Sequence, residues 1–269
     1  MRWRKMLQIR SKLLYNQRVQ GGFFRLVARA AGMIREAAPG KFVDIRIDDG
    51  YGPLLRRPFS IHRVREQNIE VIYEVLGKGT EVLSRKKPGE YLDIIGPLGN
   101  GYSILDVRYS ILIAGGMGVA PLIFLTEKLA ERKTQNAKRK IIVLIGAKTK
   151  NEILCAKEFT RLGCDVKIST DDGSRGFKGK VTDLLKKILP FVICHKRLAI
   201  YACGPRPMLK EVSRVSTTYK IPAQISLEEH LACGIGACLG CVVNTKEGFK
   251  RVCKEGPVFN AEEIIWPDC

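Results

Sequence analysis

The stretch LIAGGMGVAP, residues 112–121, connects an apolar run to an apolar helical pattern through three closely spaced glycines. The run YSILIAGG (109–116) is apolar almost throughout, which is typical of a strand buried on both faces in a parallel sheet. The segment APLIFLTEKLAERK (120–133) has the spacing of an amphipathic helix, with Pro121 in its first turn. A strand, a glycine turn and a helix in this order predict an α/β unit that approaches a nucleotide at its carboxyl edge.

The same alternation of strand and helix continues towards the carboxyl terminus. Three further apolar strands and two amphipathic helices are predicted in KIIVLIGAK (140–148), CDVKIST (164–170), RLAIYACGP (197–205), VTDLLKKIL (181–189) and RPMLKEVSRVS (206–216). Strands that are apolar throughout and alternate with helices predict an α/β fold built on a doubly wound parallel sheet. We assign this domain to residues 106–222.

The loops that follow these strands supply candidate nucleotide-binding residues. Because parallel strands end at one edge of their sheet, we expect these loops to line one site. The glycine spacing is not G-x-G-x-x-G, so the standard dinucleotide fingerprint is absent, and each loop alone fits an ordinary α/β scaffold. The candidates are Gly115, Gly116, Gly118, Asp171, Cys203, Gly204 and Pro205.

Residues 1–105 consist of short β-rich runs separated by Gly and Pro. KFVDIRI (41–47) and IEVIYEVL (69–76) alternate apolar and polar residues, and PG, DDGYGP and KKPGE are turn sequences. Several strands at short spacing predict an all-β domain, a small antiparallel barrel, over residues 1–105.

Two motifs in this first domain are suited to a flavin nucleotide. In RRPFSI (56–61), Arg57 can pair with a phosphate, Phe59 can lie on a ring face and Ser60 can bond a flavin nitrogen. GKGT (77–80) is predicted to be a glycine turn whose N–H groups and hydroxyl suit a pyrophosphate, although it does not fit the Walker pattern. Taken singly, an edge strand and a simple hairpin turn explain the two motifs equally well.

Three cysteines stand in CGIGACLGC, residues 233–241, and Cys253 follows after eleven residues. The spacing C-x4-C-x2-C is the one that plant-type ferredoxins use for three of the four ligands of a [2Fe–2S] cluster. The intervening glycines let the backbone fold tightly and direct N–H groups at the sulfurs. We therefore expect a small [2Fe–2S] domain over residues 223–269.

Zinc and unliganded thiols are the alternatives for this cysteine cluster. Four cysteines also suit a tetrahedral zinc site, but such sites usually pair their ligands in two short hairpins. Here three ligands share one loop and Cys253 stands alone, which favours iron and sulfur. Cys253 also lies much closer than the distant fourth ligand of a plant ferredoxin, so this domain is not simply a ferredoxin.

Composition excludes several classes of protein. The chain has 269 residues, enough for two or three domains, and its nine cysteines are an odd number that argues against a disulfide framework. No apolar run reaches the length of a membrane span, and no signal peptide is recognised, so we expect a cytoplasmic protein. The net charge of +19 is dispersed and aromatic residues are only 7%, which disfavours nucleic-acid binding and suits a lysine-rich proteome or an acidic protein partner.

The remaining cysteines and histidines have no assigned chemistry. We expect packing or surface positions for Cys155, Cys164, Cys194 and Cys269, and surface positions for His62 and His195.

The order of these motifs resembles the ferredoxin-NADP reductase superfamily. An Arg-Pro-x-Ser strand, Gly-x-Gly-Thr, a Gly-Gly-x-Gly-x-Ala-Pro turn and a Cys-Gly-Pro loop follow one another. The tail SLEEHLACGIGACLGCVV (226–243) and RVCKEGPVFNAEEIIW (251–266) resembles the electron-transfer subunits of NAD-dependent (class 1B) dihydroorotate dehydrogenases. The likeness covers nearly the whole chain, including PGKF (39–42), and its cysteine tail is highly specific.

The resemblance implies a subunit that binds FAD and one [2Fe–2S] cluster and reacts with NAD. It also implies an FMN-containing catalytic partner that oxidises dihydroorotate, in a heterotetramer of two chains each. The FAD contacts of the family correspond to Arg57, Pro58, Phe59, Ser60, Ile72, Tyr73, Glu74, Gly79 and Thr80. The cluster ligands correspond to Cys233, Cys238, Cys241 and Cys253, and the candidate nucleotide residues become an NAD site.

The resemblance also suggests individual roles. Ser60 would hold the flavin N5, Arg57 the pyrophosphate, and Cys203 would lie near the nicotinamide, with no side chain acting as a general acid or base. His230, where relatives tend to have Met or Arg, is expected to lie beside the cluster or at the surface. A subunit of a ferredoxin-NADP or sulfide-type reductase, and a zinc-bearing interaction module, remain alternatives. No acidic or arginine marker for the ribose 2′ position is identified, so the choice of NAD over NADP rests on the resemblance alone.

Overall fold

Two seven-stranded sheets and one two-stranded hairpin organise the computed structural model, which describes residues 6–47, 50, 52–131, 139–193 and 197–267. The strands are β1 (Leu7–Gln20), β2 (Phe23–Arg29), β3 (Phe42–Arg46), β4 (Arg57–Ser60), β5 (Arg63–Arg65), β6 (Asn68–Glu74), β7 (Tyr91–Leu98), β8 (Tyr109–Gly115), β9 (Lys140–Ala147), β10 (Asp165–Thr170), β11 (Phe177–Lys178), β12 (Leu198–Cys203), β13 (Ala223–Ser226), β14 (Val242–Thr245), β15 (Gly248–Arg251) and β16 (Val258–Asn260). The α-helices are α1 (Lys78–Arg85), α2 (Val119–Glu131), α3 (Ala156–Arg161), α4 (Val181–Val192) and α5 (Arg206–Tyr219). Cys194, His195 and Cys269 lie outside the described residues.

The first sheet, here called the antiparallel sheet, has the order β4-β3-β7-β1-β2-β6-β5, and every neighbouring pair is antiparallel. Its inner face is apolar because alternate residues of each strand point the same way, and Leu13, Leu26, Ile45 and Ile94 are fully buried there. The sheet forms a half-barrel around this core. The predicted all-β N-terminal architecture is therefore confirmed.

The second sheet, here called the parallel sheet, has the order β11-β10-β9-β8-β12-β13-β16. All its pairs are parallel except β13 with the edge strand β16. Side chains of α2 and α3 cover one face, and side chains of α4 and α5 cover the other. The predicted doubly wound α/β fold is confirmed, since helices cover both faces and the central strands β8 and β12 are buried almost throughout.

The carboxyl-terminal residues form a small unit that shares a core with the parallel sheet. Strands β14 and β15 pair as an antiparallel hairpin, here called the cluster hairpin. Val243 and Val252 of this unit are buried in the same apolar cluster as Ile225 of β13. The hairpin is therefore held against the parallel sheet by apolar packing as well as by its connections.

Polar side chains that follow β4 join the antiparallel sheet to α2 and α3. His62 is fully buried, and its Nδ1 lies 2.8 Å from the carbonyl oxygen of Ala120. Arg63 donates from Nε to Glu127 Oε1 at 2.7 Å and from Nη1 to Glu158 Oε2 at 2.8 Å. The surface position predicted for His62 is wrong, because α2 and α3 cover it in the folded chain.

Within the described residues, the structure contains no helix that is both long and apolar enough to cross a membrane.

Candidate functional site

The strand β4 places the RRPFSI motif beside β3, with Pro58 opposite Asp44 and Ser60 opposite Phe42. Side chains alternate between the two faces of a strand, so neighbours of Phe59 point away from the core. Phe59 itself is buried, and its ring centroid lies 5.5 Å from that of Tyr73. The ring of Phe59 therefore packs in the barrel core and does not lie against the face of a flavin ring. Only the backbone of Phe59 is left to contact a flavin.

The predicted FAD residues of β6 also take part in hydrogen bonding and packing within the domain. The Tyr73 hydroxyl donates to Asn16 Oδ1 at 2.9 Å, and burial raises the pKa of Tyr73 well above its ordinary value of 10.0. Its ring stacks on Phe24 with the centroids 5.6 Å apart. Ile72 is buried and Glu74 is half-buried. Strand β6 packs against the turn over residues 116–118. The predicted FAD residues of β6 therefore lie next to the predicted NAD residues of this turn.

The GKGT motif is the start of a helix, which corrects the predicted glycine turn and also excludes the alternative of a simple hairpin turn. Gly77 precedes α1, and Thr80 Oγ1 accepts the N–H of Leu76 at 3.0 Å and donates to the Gly77 carbonyl at 3.1 Å. The hydroxyl of Thr80 is thus used to cap the helix. A Cβ on Gly79 would lie 2.7 Å from Nε of Arg57. The structure therefore brings the guanidinium of Arg57 against the amino end of α1, and both groups favour a bound phosphate.

The glycine turn after β8 and the Cys-Gly-Pro loop after β12 interlock. Ala114 pairs with Cys203 in the sheet, and a Cβ on Gly118 would overlap the carbonyl oxygen of Cys203. A Cβ on Gly115 would lie 2.7 Å from Cδ of Pro205. The six predicted residues of these two loops therefore lie together at the carboxyl edge of the sheet.

Cys203 itself is only 1% exposed, and burial raises the pKa of its thiol well above the ordinary value of 9.0. The thiol is therefore neutral, and it adds no charge to this edge of the sheet.

Asp171 lies at the same sheet edge but apart from these loops. It follows β10, and β9 separates β10 from β8, which places Asp171 about 10 Å from the glycine turn at the usual strand spacing. Its carboxylate binds Lys180 Nζ at 2.8 Å. The structure does not bring Asp171 next to the other predicted NAD residues.

The cluster hairpin brings Cys241 and Cys253 together although eleven residues separate them. Cys241 directly precedes β14, and Cys253 lies two positions after the end of β15. The N–H of Cys253 donates to Cys241 Sγ at 3.4 Å, and both residues are 2% exposed. Burial and then the neighbouring Cys241 raise the pKa of Cys253 to about 12. These two thiols therefore form a buried pair.

The loop before the hairpin forms a second pair. Cys233 Sγ accepts N–H groups from Ala237 at 3.3 Å and from Cys238 at 3.4 Å. Gly234 and Gly236 make this wrapping possible because their φ angles are +66° and +84°. Burial opposes ionisation of Cys233, but hydrogen bonds from the Cys238, Ile235 and Ala237 amides lower the pKa of this thiol to about 6. The loop therefore favours an anionic sulfur.

The arrangement of the four thiols fits two metal ions better than one. Cys233 and Cys238 contact each other through their side chains, as do Cys241 and Cys253. Among the described residues, no three of these sulfurs lie within 4.8 Å of one another. A single tetrahedral zinc ion would gather all four sulfurs around one point. Two pairs suit a cluster of two irons, each bound by two thiolates, so the donor set fits [2Fe–2S].

Asp44 is a residue of this site that the sequence reasoning missed. It is 2% exposed, and its Oδ2 lies against Gly234 in the cysteine loop. Burial raises the pKa of Asp44 to about 6, opposed by the charge of Arg56. An aspartate within the apolar strand FVDIR was the available signal, since a charge inside such a strand needs a partner. His230, in contrast, is exposed, which fits the surface alternative for this residue.

Two family models match parts of the chain. Residues 228–265 match the family described as the iron-sulfur cluster binding domain of dihydroorotate dehydrogenase B. Residues 112–214 match the oxidoreductase NAD-binding domain.

The chain is similar to whole proteins of the same kind. It is 41% identical to the electron transfer subunit of dihydroorotate dehydrogenase B (NAD(+)) from Desulforamulus reducens, over 88% of this chain and 90% of that protein. It is 36% identical to the subunit of the same name from Caldanaerobacter subterraneus subsp. tengcongensis, over 99% of this chain and all of that one (100%).

Solved structures share the fold. An NADH-dependent reduced ferredoxin-NADP oxidoreductase superposes with a TM-score of 0.81 at 29% identity, over 95% of this chain and 90% of that chain. A flavohemoglobin from Malassezia yamatoensis with bound FAD and heme superposes with a TM-score of 0.65 at 20% identity, over 81% of this chain and 60% of that chain, a likeness of fold alone.

Proposed function

The chain belongs to the family of dihydroorotate dehydrogenase B electron transfer subunits, and on this premise we propose that it relays electrons from a catalytic partner subunit to NAD⁺ in pyrimidine biosynthesis, by way of a [2Fe–2S] cluster and FAD. The observation that carries this proposal is the pairing of the four thiols, with the loop of Cys233 in contact with β3, the strand that lies beside β4. This contact supports a cluster that lies close to the strand that we assign to the flavin.

The bound groups supply the redox chemistry: the cluster carries single electrons, and FAD couples them to hydride exchange with NAD. The chain supplies position and electrostatics. Cys233, Cys238, Cys241 and Cys253 are the proposed ligands of the irons, and the amides that point at Cys233 stabilise its negative charge.

We assign the flavin diphosphate to Arg57 and the amino end of α1. The guanidinium lies against Gly79, so its charge and the N–H groups of the first helical turn face the same volume. Ser60 remains the proposed partner of the flavin ring. Phe59 and Tyr73 would act from the core by fixing the strands that carry the contact residues.

We assign NAD to the interlocked loops. Gly116 has no atom within 4 Å of an added Cβ and leaves room for the cofactor to approach, whereas Gly115 and Gly118 let the two loops pack closely against Pro205 and the Cys203 carbonyl. Because Asp171 stands apart and binds Lys180, its proposed role is limited to the far end of the nucleotide. NAD over NADP is part of this proposal.

The proposal also includes a partner subunit and one bound group for each domain. The partner carries FMN, oxidises dihydroorotate and forms a heterotetramer with two copies of each chain. Residues 1–105 bind FAD, residues 106–222 bind NAD and residues 223–269 bind the cluster, with β13 and β16 of the last segment joining the parallel sheet. All seven described cysteines are free thiols, which suits the reducing cytoplasm.

The match of residues 228–265 favours this function over a ferredoxin-NADP or sulfide-type reductase subunit.

Reconstitution of the two-subunit enzyme tests the proposed function. The anaerobically purified chain, with iron, labile sulfide and FAD quantified, is mixed with an FMN-containing dihydroorotate dehydrogenase catalytic subunit of a relative, and NADH is followed on adding dihydroorotate and NAD⁺. NADH should form only with both subunits, and Cys253→Ser should abolish it while Cys164→Ser, a buried thiol outside the cluster, should not. A fully loaded pair that forms no NADH, or a chain with zinc and no labile sulfide, would overturn the proposal.

A further inference from the structure

A second group of metal-binding atoms lies where the antiparallel sheet meets α3. An imidazole nitrogen of His62, the sulfur of Cys155 and a carboxylate oxygen of Glu158 lie within 4.8 Å of one another. His62 lies between β4 and β5, Cys155 directly precedes α3, and Glu158 belongs to α3. None of the three is assigned to the cluster, to FAD or to NAD.

The imidazole of His62 is oriented as a ligand. A carbonyl oxygen only accepts, so the 2.8 Å contact with Ala120 requires Nδ1 to carry the hydrogen and to donate it. In the neutral ring, the lone pair is then on Nε2. A backbone carbonyl that holds one ring nitrogen is the usual support of a metal-binding histidine.

Nε2 lacks a hydrogen-bond partner in the described part of the chain, although His62 is 0% exposed. Glu158 Oε2 lies 3.9 Å from this nitrogen, which is too far for a hydrogen bond. A buried polar atom without a partner is costly, and a metal ion among the three residues would satisfy it.

The other two ligands are held in place by their surroundings. Cys155 has a φ angle of +58°, a left-handed conformation that is strained for a residue with a side chain, and such strain clusters at functional positions. Glu158 is fixed by Arg63 Nη1 at 2.8 Å. The charge of Arg63 is compensated in turn by Glu127 at 2.7 Å and Glu70 at 3.9 Å, so this guanidinium does not leave the site strongly positive.

We propose that His62 Nε2, Cys155 Sγ and a Glu158 carboxylate oxygen bind one zinc ion, with water as the fourth ligand. One nitrogen, one sulfur and one oxygen donor suit the borderline character of Zn²⁺ and its tetrahedral geometry. On binding, a zinc–sulfur bond replaces the S–H bond, the proton leaves to solvent, and no group is oxidised or reduced. Because His62 connects two strands of the antiparallel sheet and the other two residues belong to α3 and its start, the ion would link the antiparallel sheet to α3.

Zinc analysis of the full, cluster-loaded chain tests the site. The protein is treated with a chelator, dialysed against a small excess of Zn²⁺ and analysed for zinc and iron together. We expect one zinc per chain with the iron content unchanged, and zinc-edge anomalous diffraction should place it beside His62. His62→Ala and Cys155→Ser should lose this zinc and retain their iron, whereas Cys164→Ser, which removes another buried thiol, should keep it.

Thermal unfolding provides a second measurement. Because an ion that binds only the folded chain stabilises it, Zn²⁺ should raise the Tm of the wild type and of Cys164→Ser but not of Cys155→Ser. If His62→Ala does not fold, Glu158→Gln and the nearly isosteric Cys155→Ser still decide the question. Absence of bound zinc, equal binding by the wild type and Cys155→Ser, or zinc that appears only as iron is lost would each refute the site.

Discussion

A Cβ atom on Gly234 would lie 2.5 Å from Oδ2 of Asp44, so β3 touches the cysteine loop at a position where only glycine fits. Gly234 follows Cys233, and its φ angle of +66° independently favours glycine. Asp44 pairs across the sheet with Pro58 of β4. The contact therefore fixes the first cluster thiol relative to the strand that we assign to the flavin.

Gly234→Ala should impair cluster loading without removing FAD. The added methyl collides with a buried carboxylate and imposes a left-handed conformation that costs roughly 1–2 kcal/mol on an alanine. We expect iron and labile sulfide per chain to fall several-fold while flavin absorbance is retained. Gly248→Ala is the matched control, because its φ angle of +97° imposes similar strain with no atom within 4 Å of the added carbon. Equal loss of iron in both variants would mean that the Asp44 contact does not matter.

Gly79→Ala should weaken FAD binding and leave the fold intact. The new methyl would lie 2.7 Å from Nε of Arg57 and would push the guanidinium away from the start of α1. Within a helix, alanine is favoured over glycine by about 1 kcal/mol, so the stability of α1 should not suffer. We expect the Kd for FAD to rise about tenfold, which corresponds to about 1.4 kcal/mol.

Gly77→Ala is the control for this prediction. Gly77 has a φ angle of −171°, an extended conformation open to any residue, and a Cβ there would meet nothing within 4 Å. FAD titration by flavin fluorescence compares the two variants. If Gly77→Ala weakens FAD as much as Gly79→Ala does, Arg57 is not the cause.

The elements that the sequence predicted well are those whose pattern is local. β8 and α2 were predictable because an apolar run and a helical period flank one glycine turn. The cysteine cluster could be proposed because four cysteines stand within 21 residues, but their pairing depends on the fold. α1 was missed because Gly77 and Gly79 weaken its helical pattern. Its role depends on Arg57, a contact between segments far apart in the sequence.

Positions set by tertiary packing could not be predicted in this way. From the sequence, Phe59 fits a core residue as well as a residue that contacts a flavin ring. Only the face of β4 to which its side chain points decides between the two. His62 is polar and follows a strand, yet α2 covers it. The edge strand β16 is three residues long and forms only because β13 is available to pair with it. In each case the partner lies elsewhere in the sequence.

Gly118→Ala should destabilise the chain more than Gly116→Ala. At Gly118 a Cβ would overlap the Cys203 carbonyl oxygen, and rigid backbone on both sides prevents relief. At Gly116 the φ angle of +54° imposes strain of roughly 1–2 kcal/mol, but no atom lies within 4 Å. Urea unfolding should show a clearly lower midpoint for Gly118→Ala. The close approach of the two loops is wrong if Gly116→Ala proves the less stable variant.

Glu211 should contribute to stability in an acid-sensitive way. Hydrogen bonds from Arg214 and then Lys186 lower the pKa of Glu211 from the ordinary 4.5 to about 2, and Lys186 Nζ, on α4, lies 2.6 Å from its Oε1. A carboxyl with a lowered pKa stabilises the folded state fully above the unfolded value and loses this contribution as the pH falls through the folded value. With solvent screening at a partly exposed site, we expect the ion pairs of Glu211 to contribute roughly 1 kcal/mol to the free energy of unfolding.

Glu211→Gln should therefore lower the free energy of unfolding at pH 7, and the difference from the wild type should vanish as the pH falls from about 4.5 to about 2. Glu262→Gln, an exposed carboxylate with no ion pair among the described residues, should show no such convergence, and a difference for Glu211→Gln that stays constant with pH would contradict the ion pair between α4 and α5.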